Sequence, residues 1–387
     1  MTRPLLIKNA SSYPVRKKVV VKHSLIYACT IIAMICGKII RWFFSGEKLI
    51  ASAIGERLFL HQIVHESLQL SFWEFDSLST AGDNTVFLFK ILNIFRLTEY
   101  WQFEIVISVV FNALIIYFIY TSIPKWSVLQ SVFFTSSVGV LNIFSFTLAK
   151  EPIQMMIFCG FCYAIRRHSS VNKKMFSLFI LIILTTALFR AYYILMLMFL
   201  IILHMFFFVI KPQTTRGKSL ILLAIVSGYL LFLIVAKYVD INIYNQLYYL
   251  KSDARANRFN TGITPLFLSI GSNDFFLVID AILTTLRLMF PIELLFIKTT
   301  TGFVSTVIIF MYQLIVSVSV LKATVKWSDI SDEKKIAIEC FFAFLLMSAI
   351  FEPDFGSWMR HESVTLPILL IISDIFKVKN AYPKRHL

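Results

Sequence analysis

Charge is what this chain has least of. Only 15% of its 387 residues are Asp, Glu, Lys or Arg, well under the roughly 25% of soluble globular proteins, and 58% are apolar. Together with a mean hydropathy of +0.77, this excludes an ordinary soluble globule and leaves a polytopic membrane protein. Acidic residues are scarcer still, 22 against 37 Lys and Arg. The net charge of +15 does not point to nucleic acid, because the cations fall in short segments between apolar runs, as they do in the inner loops of membrane proteins. Cysteine is rare, and Cys29, Cys36, Cys159, Cys162 and Cys340 all lie inside apolar stretches, which argues against a disulfide framework. Cys159-x-x-Cys162 lacks the second pair that a zinc site needs. The sequence has no internal repeat, so inverted-repeat transporter architecture has no support. A small-residue cleavage site is missing after the first apolar stretch, which therefore reads as an uncleaved anchor.

What is present is a series of apolar runs separated by basic turns. The leader, residues 1–23, carries Arg3, Lys8, Arg16, Lys17, Lys18 and Lys22, so the positive-inside rule places it in the cytoplasm. Spans are then expected over 24–43, 105–123, 128–148, 153–165, 176–189, 191–210, 220–236, 302–321, 336–351 and 364–376, with a re-entrant or interfacial helix over 276–298. The expectation is an all-α, single integral membrane domain over 1–387 with about ten spans. Both termini are cytoplasmic in this reading, and long outer loops cover 45–84 and 237–275.

Arg190 interrupts an apolar run from 175 to 210, about twice the ~20 residues that one spanning helix needs. A guanidinium at that depth is costly without water or a partner, so the chain is expected to fold back there, at the outer face. The same threading puts Lys150, Glu151, Arg360 and His361 at that face, with Glu74 and Asp76 in the first loop and Arg255 and Arg258 in the second. Arginines at outer helix ends run against the orientation bias. One explanation is snorkelling to water; another is an anion held there, since a guanidinium fork matches two phosphate oxygens. Tyr192 and Tyr193 are placed to stack on a sugar, to donate hydrogen bonds, or to form an aromatic belt. Residues 352–363 form the densest polar cluster and are read as an outer loop. Within it His361 suits proton transfer, because histidine changes charge near neutral pH. Glu151 with Pro152 also fits a helix start, and Asp76 is either a cap or a base.

Three segments carry a resemblance. Ser145-Phe-Thr-Leu-Ala-Lys150-Glu151-Pro152, Ala187-Leu-Phe-Arg190-Ala-Tyr192-Tyr193 and Gly356-Ser-Trp-Met-Arg360-His361 to Pro367 resemble elements of Wzy-type polysaccharide repeat-unit polymerases and related integral glycosyltransferases of the GT-C kind. The segment from Leu286 and Arg287 to Pro291 and Glu293 is similar to one that precedes a late span in these enzymes. The resemblance implies a GT-C-like helical bundle in the bacterial inner membrane, acting at the periplasmic face on undecaprenyl-pyrophosphate-linked oligosaccharides without a cofactor. A chain-length regulator and a flippase of the same pathway would be its partners. Arg190 and Arg360 would then hold the donor pyrophosphate, Lys150 and Glu151 would order that site, and His361 or Asp76 would take the acceptor proton. Sparse arginines in the second outer loop, only Arg255 and Arg258, depart from the pattern. Two other readings stay open: a GT-C transferase using a polyprenyl-phosphate sugar with Asp76 as base, and a lipid-linked oligosaccharide flippase.

Overall fold

The computed structural model describes residues 20–43, 93–122, 126–190, 192–209, 225–234, 274–292, 303–324, 327–352 and 355–375, with 88, 89, 91, 223, 237 and 294. Asp76, the first outer loop, Arg255, Arg258 and Glu293 lie outside the described residues.

The protein is mostly helical. Helices α1 (His23–Phe43), α2 (Tyr100–Thr121) and α3 (Val128–Val140) come first, and α3 runs on into a π-helical turn, Leu141–Ser145. Then follow α4 (Lys150–Arg167), α5 (Val171–Leu188), α6 (Tyr193–Val209), α7 (Asp274–Met289), α8 (Phe303–Thr324), α9 (Asp332–Phe351), α10 (Phe355–Ser363) and α11 (Leu366–Ile372). A two-residue antiparallel pairing joins β1 (Val20–Val21) to β2 (Trp126–Ser127). Local sequence explains several starts. Ser127 accepts from the backbone N–H of Gln130 while the Gln130 side chain accepts from Ser127 N–H, a reciprocal cap, and Ser170 and Ser331 cap α5 and α9.

Among the described residues, four helical stretches are long and apolar enough to cross a membrane: His23–Trp42, Trp101–Tyr120, Val128–Ser145 and Val171–Leu188. On α1 and α2 large apolar side chains such as Ile32, Trp42, Val109 and Tyr117 face outward, as a lipid-facing surface requires.

The chain departs from the sequence expectation at one end. Lys150, Glu151 and Pro152 are the first turn of α4 rather than a tight turn before it. Residues 355–363, expected within an outer loop, are the helix α10, and the segment that follows is helical for only seven residues, about 10 Å. Together α10 and α11 make a broken, buried helix, with Trp358, Glu362, Ser363 and Ile368 fully covered.

Irregular backbone also follows α3, where residues 146–149 are buried without a helix. Such carbonyls need internal partners where water is absent, and α1 and α2 supply them. Lys38 Nζ donates to Phe146 O at 2.8 Å, Ser108 Oγ donates to the same oxygen at 3.1 Å, and Arg41 Nη1 donates to Ile143 O at 3.1 Å. Arg41 Nη2 donates to Thr147 Oγ1 and Glu104 Oε2, so Glu104 balances both cations. This clamp rests on close approach of α1 to α3: a Cβ on Gly37 would sit 2.8 Å from Asn142 Cβ and 2.9 Å from Gly139 O. Gly37→Ala is therefore expected to cost about 1–3 kcal/mol by overpacking. Thermal unfolding of the purified protein in detergent measures it, and an unchanged midpoint contradicts the close crossing.

Candidate functional site

Four chain breaks meet at one end of the bundle: 146–149 before α4, Phe189, Arg190 and Tyr192 between α5 and α6, Glu352 after α9, and the turn after α10. Contacts between them fix the meeting. Ser145 Oγ lies 3.1 Å from Ser363 Oγ, and Tyr192 stacks on Phe351 with ring centroids 4.9 Å apart.

Glu151 is the centre. It is only 1% exposed, and its Oε1 lies 2.8 Å from Arg360 Nε and 3.5 Å from His361 Nε2. Neither carboxylate oxygen has an aligned hydrogen-bond donor, so these contacts are electrostatic. Lys150 adds a further positive neighbour. Such a carboxylate is tolerable in the interior only because cations surround it.

Arg190, in the α5–α6 break, lies within electrostatic range of the same carboxylate. Its backbone N–H donates to Thr185 O at 3.0 Å, which closes α5. Nη1 donates to Tyr192 OH at 2.7 Å, and the guanidinium lies over the Phe189 and Tyr192 rings. Burial disfavours the charged form, but Tyr192, Tyr193 and Glu151 more than compensate, and the Arg190 pKa rises. Arg190 therefore stays ionised, with a buried Nε that has no hydrogen-bond partner.

Tyr192 and Tyr193 form internal contacts. Tyr192 stacks on Tyr193 on one side and on Phe351 on the other, while Tyr193 is fully buried and its hydroxyl accepts from Gln154 Nε2 at 3.3 Å. Tyr192, held between Tyr193 and Phe351, seats the Arg190 guanidinium through its hydroxyl.

His361 has two carboxylate neighbours. Nδ1 bonds to Glu352 Oε1, and Nε2 faces Glu151 without a hydrogen bond. Burial works against ionisation of Glu352, yet His361 and Lys150 outweigh it and hold the carboxyl below its ordinary value. Since an ionised carboxylate only accepts, Nδ1 carries a hydrogen toward Glu352 Oε1.

The sequence-derived candidates Lys150, Glu151, Arg190, Tyr192, Tyr193, Arg360 and His361 thus share one cluster; Asp76 lies outside the described residues. Glu352, Gln154, Ser145 and Ser363 complete it. Glu352 was visible only as part of a dense polar run; its position nine residues before His361 gave no sign of the pairing. Arg287, over the Phe355 ring at 6.0 Å, borders α10. His204 pairs with buried Glu339 at 2.9 Å, about 20 Å along α9 from Glu352, and so stands apart. No protein-family description, curated protein or solved structure matches the chain.

Proposed function

We propose that the chain is an integral membrane glycosyltransferase that polymerises surface-polysaccharide repeat units at the periplasmic face of the bacterial inner membrane. The donor is a growing glycan on undecaprenyl pyrophosphate, and the acceptor is a lipid-linked repeat unit. One observation carries the reading: Lys150, Arg190 and Arg360, remote in sequence, are charged neighbours of a single buried carboxylate. Three permanent cations beside two carboxylates, Glu151 and Glu352, leave positive charge to spare for a diphosphate, and the carboxylates hold the guanidinium heads in fixed positions.

In the reaction the acceptor hydroxyl attacks the anomeric carbon of the donor sugar, a new carbon–oxygen bond forms, and the bond to the diphosphate breaks with its electron pair. Arg190 and Arg360 stabilise the negative charge that develops on the leaving oxygen. His361 Nε2 takes the hydroxyl proton, with Glu352 fixing the ring's tautomer. Lys150 and Glu151 order the cationic heads, and Tyr192 and Tyr193 seat Arg190.

Deleting the gene and resolving the surface polysaccharide on a gel tests this. Loss of the long-chain ladder with a single repeat unit retained is the expected result. Loss of every band, or an unchanged ladder, would overturn it.

A further inference from the structure

A second polar site lies on another face of α10, and the glycosyl transfer does not use it. Glu362 is fully buried. Gln313 Nε2, from α8, donates to its Oε1 at 3.1 Å, but Oε2 has no partner, and neither do the buried Gln313 Oε1 and Tyr312 OH. Tyr312 feels the Glu362 charge and faces Ser137 of α3 without an aligned hydrogen bond. The carboxyl thus has one unpartnered oxygen of its own and two unpartnered, buried oxygens on neighbouring side chains, those of Gln313 and Tyr312.

No cation among the described residues neutralises it. Among the described residues Glu362 makes no ion pair, and its neighbours Arg360 and His361 are engaged by Glu151 and Glu352. From α8 the facing groups are Tyr312 and Gln313, and from α3 Ser137; none carries charge at neutral pH. An ionised carboxylate with a single amide donor is not sustainable in such surroundings. A divalent ion would leave a buried net charge of its own, whereas one positive charge balances the site.

We propose that Glu362, with Tyr312 and Gln313, binds one monovalent cation, a proton or a sodium ion. An all-oxygen donor set suits both, and the Gln313 amide turns either its N–H or its oxygen to the site as occupancy requires. A buried carboxylate without a cationic partner is unfavourable, so without sodium the proton is retained at neutral pH. Occupancy keeps α10 seated against α8, and with it Arg360 and His361.

Infrared difference spectroscopy of the purified full chain in lipid tests the site without any activity assay. In sodium-free buffer at neutral pH, the wild type is expected to show the carbonyl band of a neutral carboxylic acid that Glu362→Gln lacks. Gln313→Leu keeps the carboxyl but removes its hydrogen bond, so the band should shift to higher frequency. Loss of the band on adding sodium chloride, but not choline chloride, identifies sodium as the physiological occupant. Persistence of the band identifies the proton. A wild type without that band in sodium-free neutral buffer, or a Gln313→Leu spectrum identical to wild type, overturns the proposal.

Discussion

Arg360→Met is expected to destabilise the protein by about 3–5 kcal/mol and to abolish polymer formation, because it strips the closest cation from a buried carboxylate. Glu151 is 1% exposed, and Arg360 Nε, at 2.8 Å, is its nearest positive partner. Removing one member of such a pair leaves the other uncompensated, while removing both does not. The double variant Arg360→Met with Glu151→Gln should therefore recover most of the stability. It should not recover polymerisation, since the guanidinium that would meet the donor diphosphate is still gone. Denaturant unfolding in detergent and the surface-polysaccharide ladder read the two effects separately. A stable double variant that still builds long chains would remove Arg360 from the donor site. A single variant as stable as wild type would instead show that Glu151 is not the buried carboxylate described here.

The cluster was partly legible in the sequence because membranes make charge conspicuous. Arg190 stood out in an apolar run too long for one span, and the break between α5 and α6 falls there. Counting basic turns then put 150, 190 and 360 at a common end, where the fold brings them together. The local structure around them was less legible. Residues 352–363 looked like a loop because polar residues crowd there, yet their partners come from elsewhere: Arg360 from Glu151, Glu362 from Gln313, Ser363 from Ser145. Such long-range pairing leaves no periodic trace, and once satisfied it lets a polar helix be buried. Lys38 and Arg41 were hidden for the opposite reason. They resemble an ordinary basic flank of α1, but they neutralise Glu104 and hold the carbonyls of 143 and 146, which only the irregular path after α3 calls for. These two cation groups have different tasks. One braces backbone through a fully engaged network, and the other, around Glu151, retains an unpartnered guanidinium nitrogen on Arg190.

The pairing of His361 with Glu352 yields the second large effect. Glu352→Gln preserves size and shape, but an amide can donate as well as accept, so the imidazole is no longer compelled to carry its hydrogen on Nδ1. With the hydrogen on Nε2 the ring cannot take a proton from the acceptor hydroxyl. Polymerisation is expected to slow by on the order of 10²–10⁴-fold, the usual worth of a positioned general base, and His361→Ala should fall in the same range. Donor affinity should change little in either variant, because Arg190, Arg360 and Lys150 remain. That split between rate and affinity, measured with purified protein and lipid-linked substrate, separates a proton-transfer role from a merely structural one. Acid adds an independent check. Glu352 is held below its ordinary value in the fold, so its stabilising contribution is present above the usual carboxyl range and is lost as the pH falls through the depressed value. Glu352→Gln should remove that part of the acid sensitivity while leaving neutral-pH folding measurable. Equal polymerisation rates for wild type and Glu352→Gln would sink the assignment of His361 as base, and the acceptor proton would then have to leave by another group.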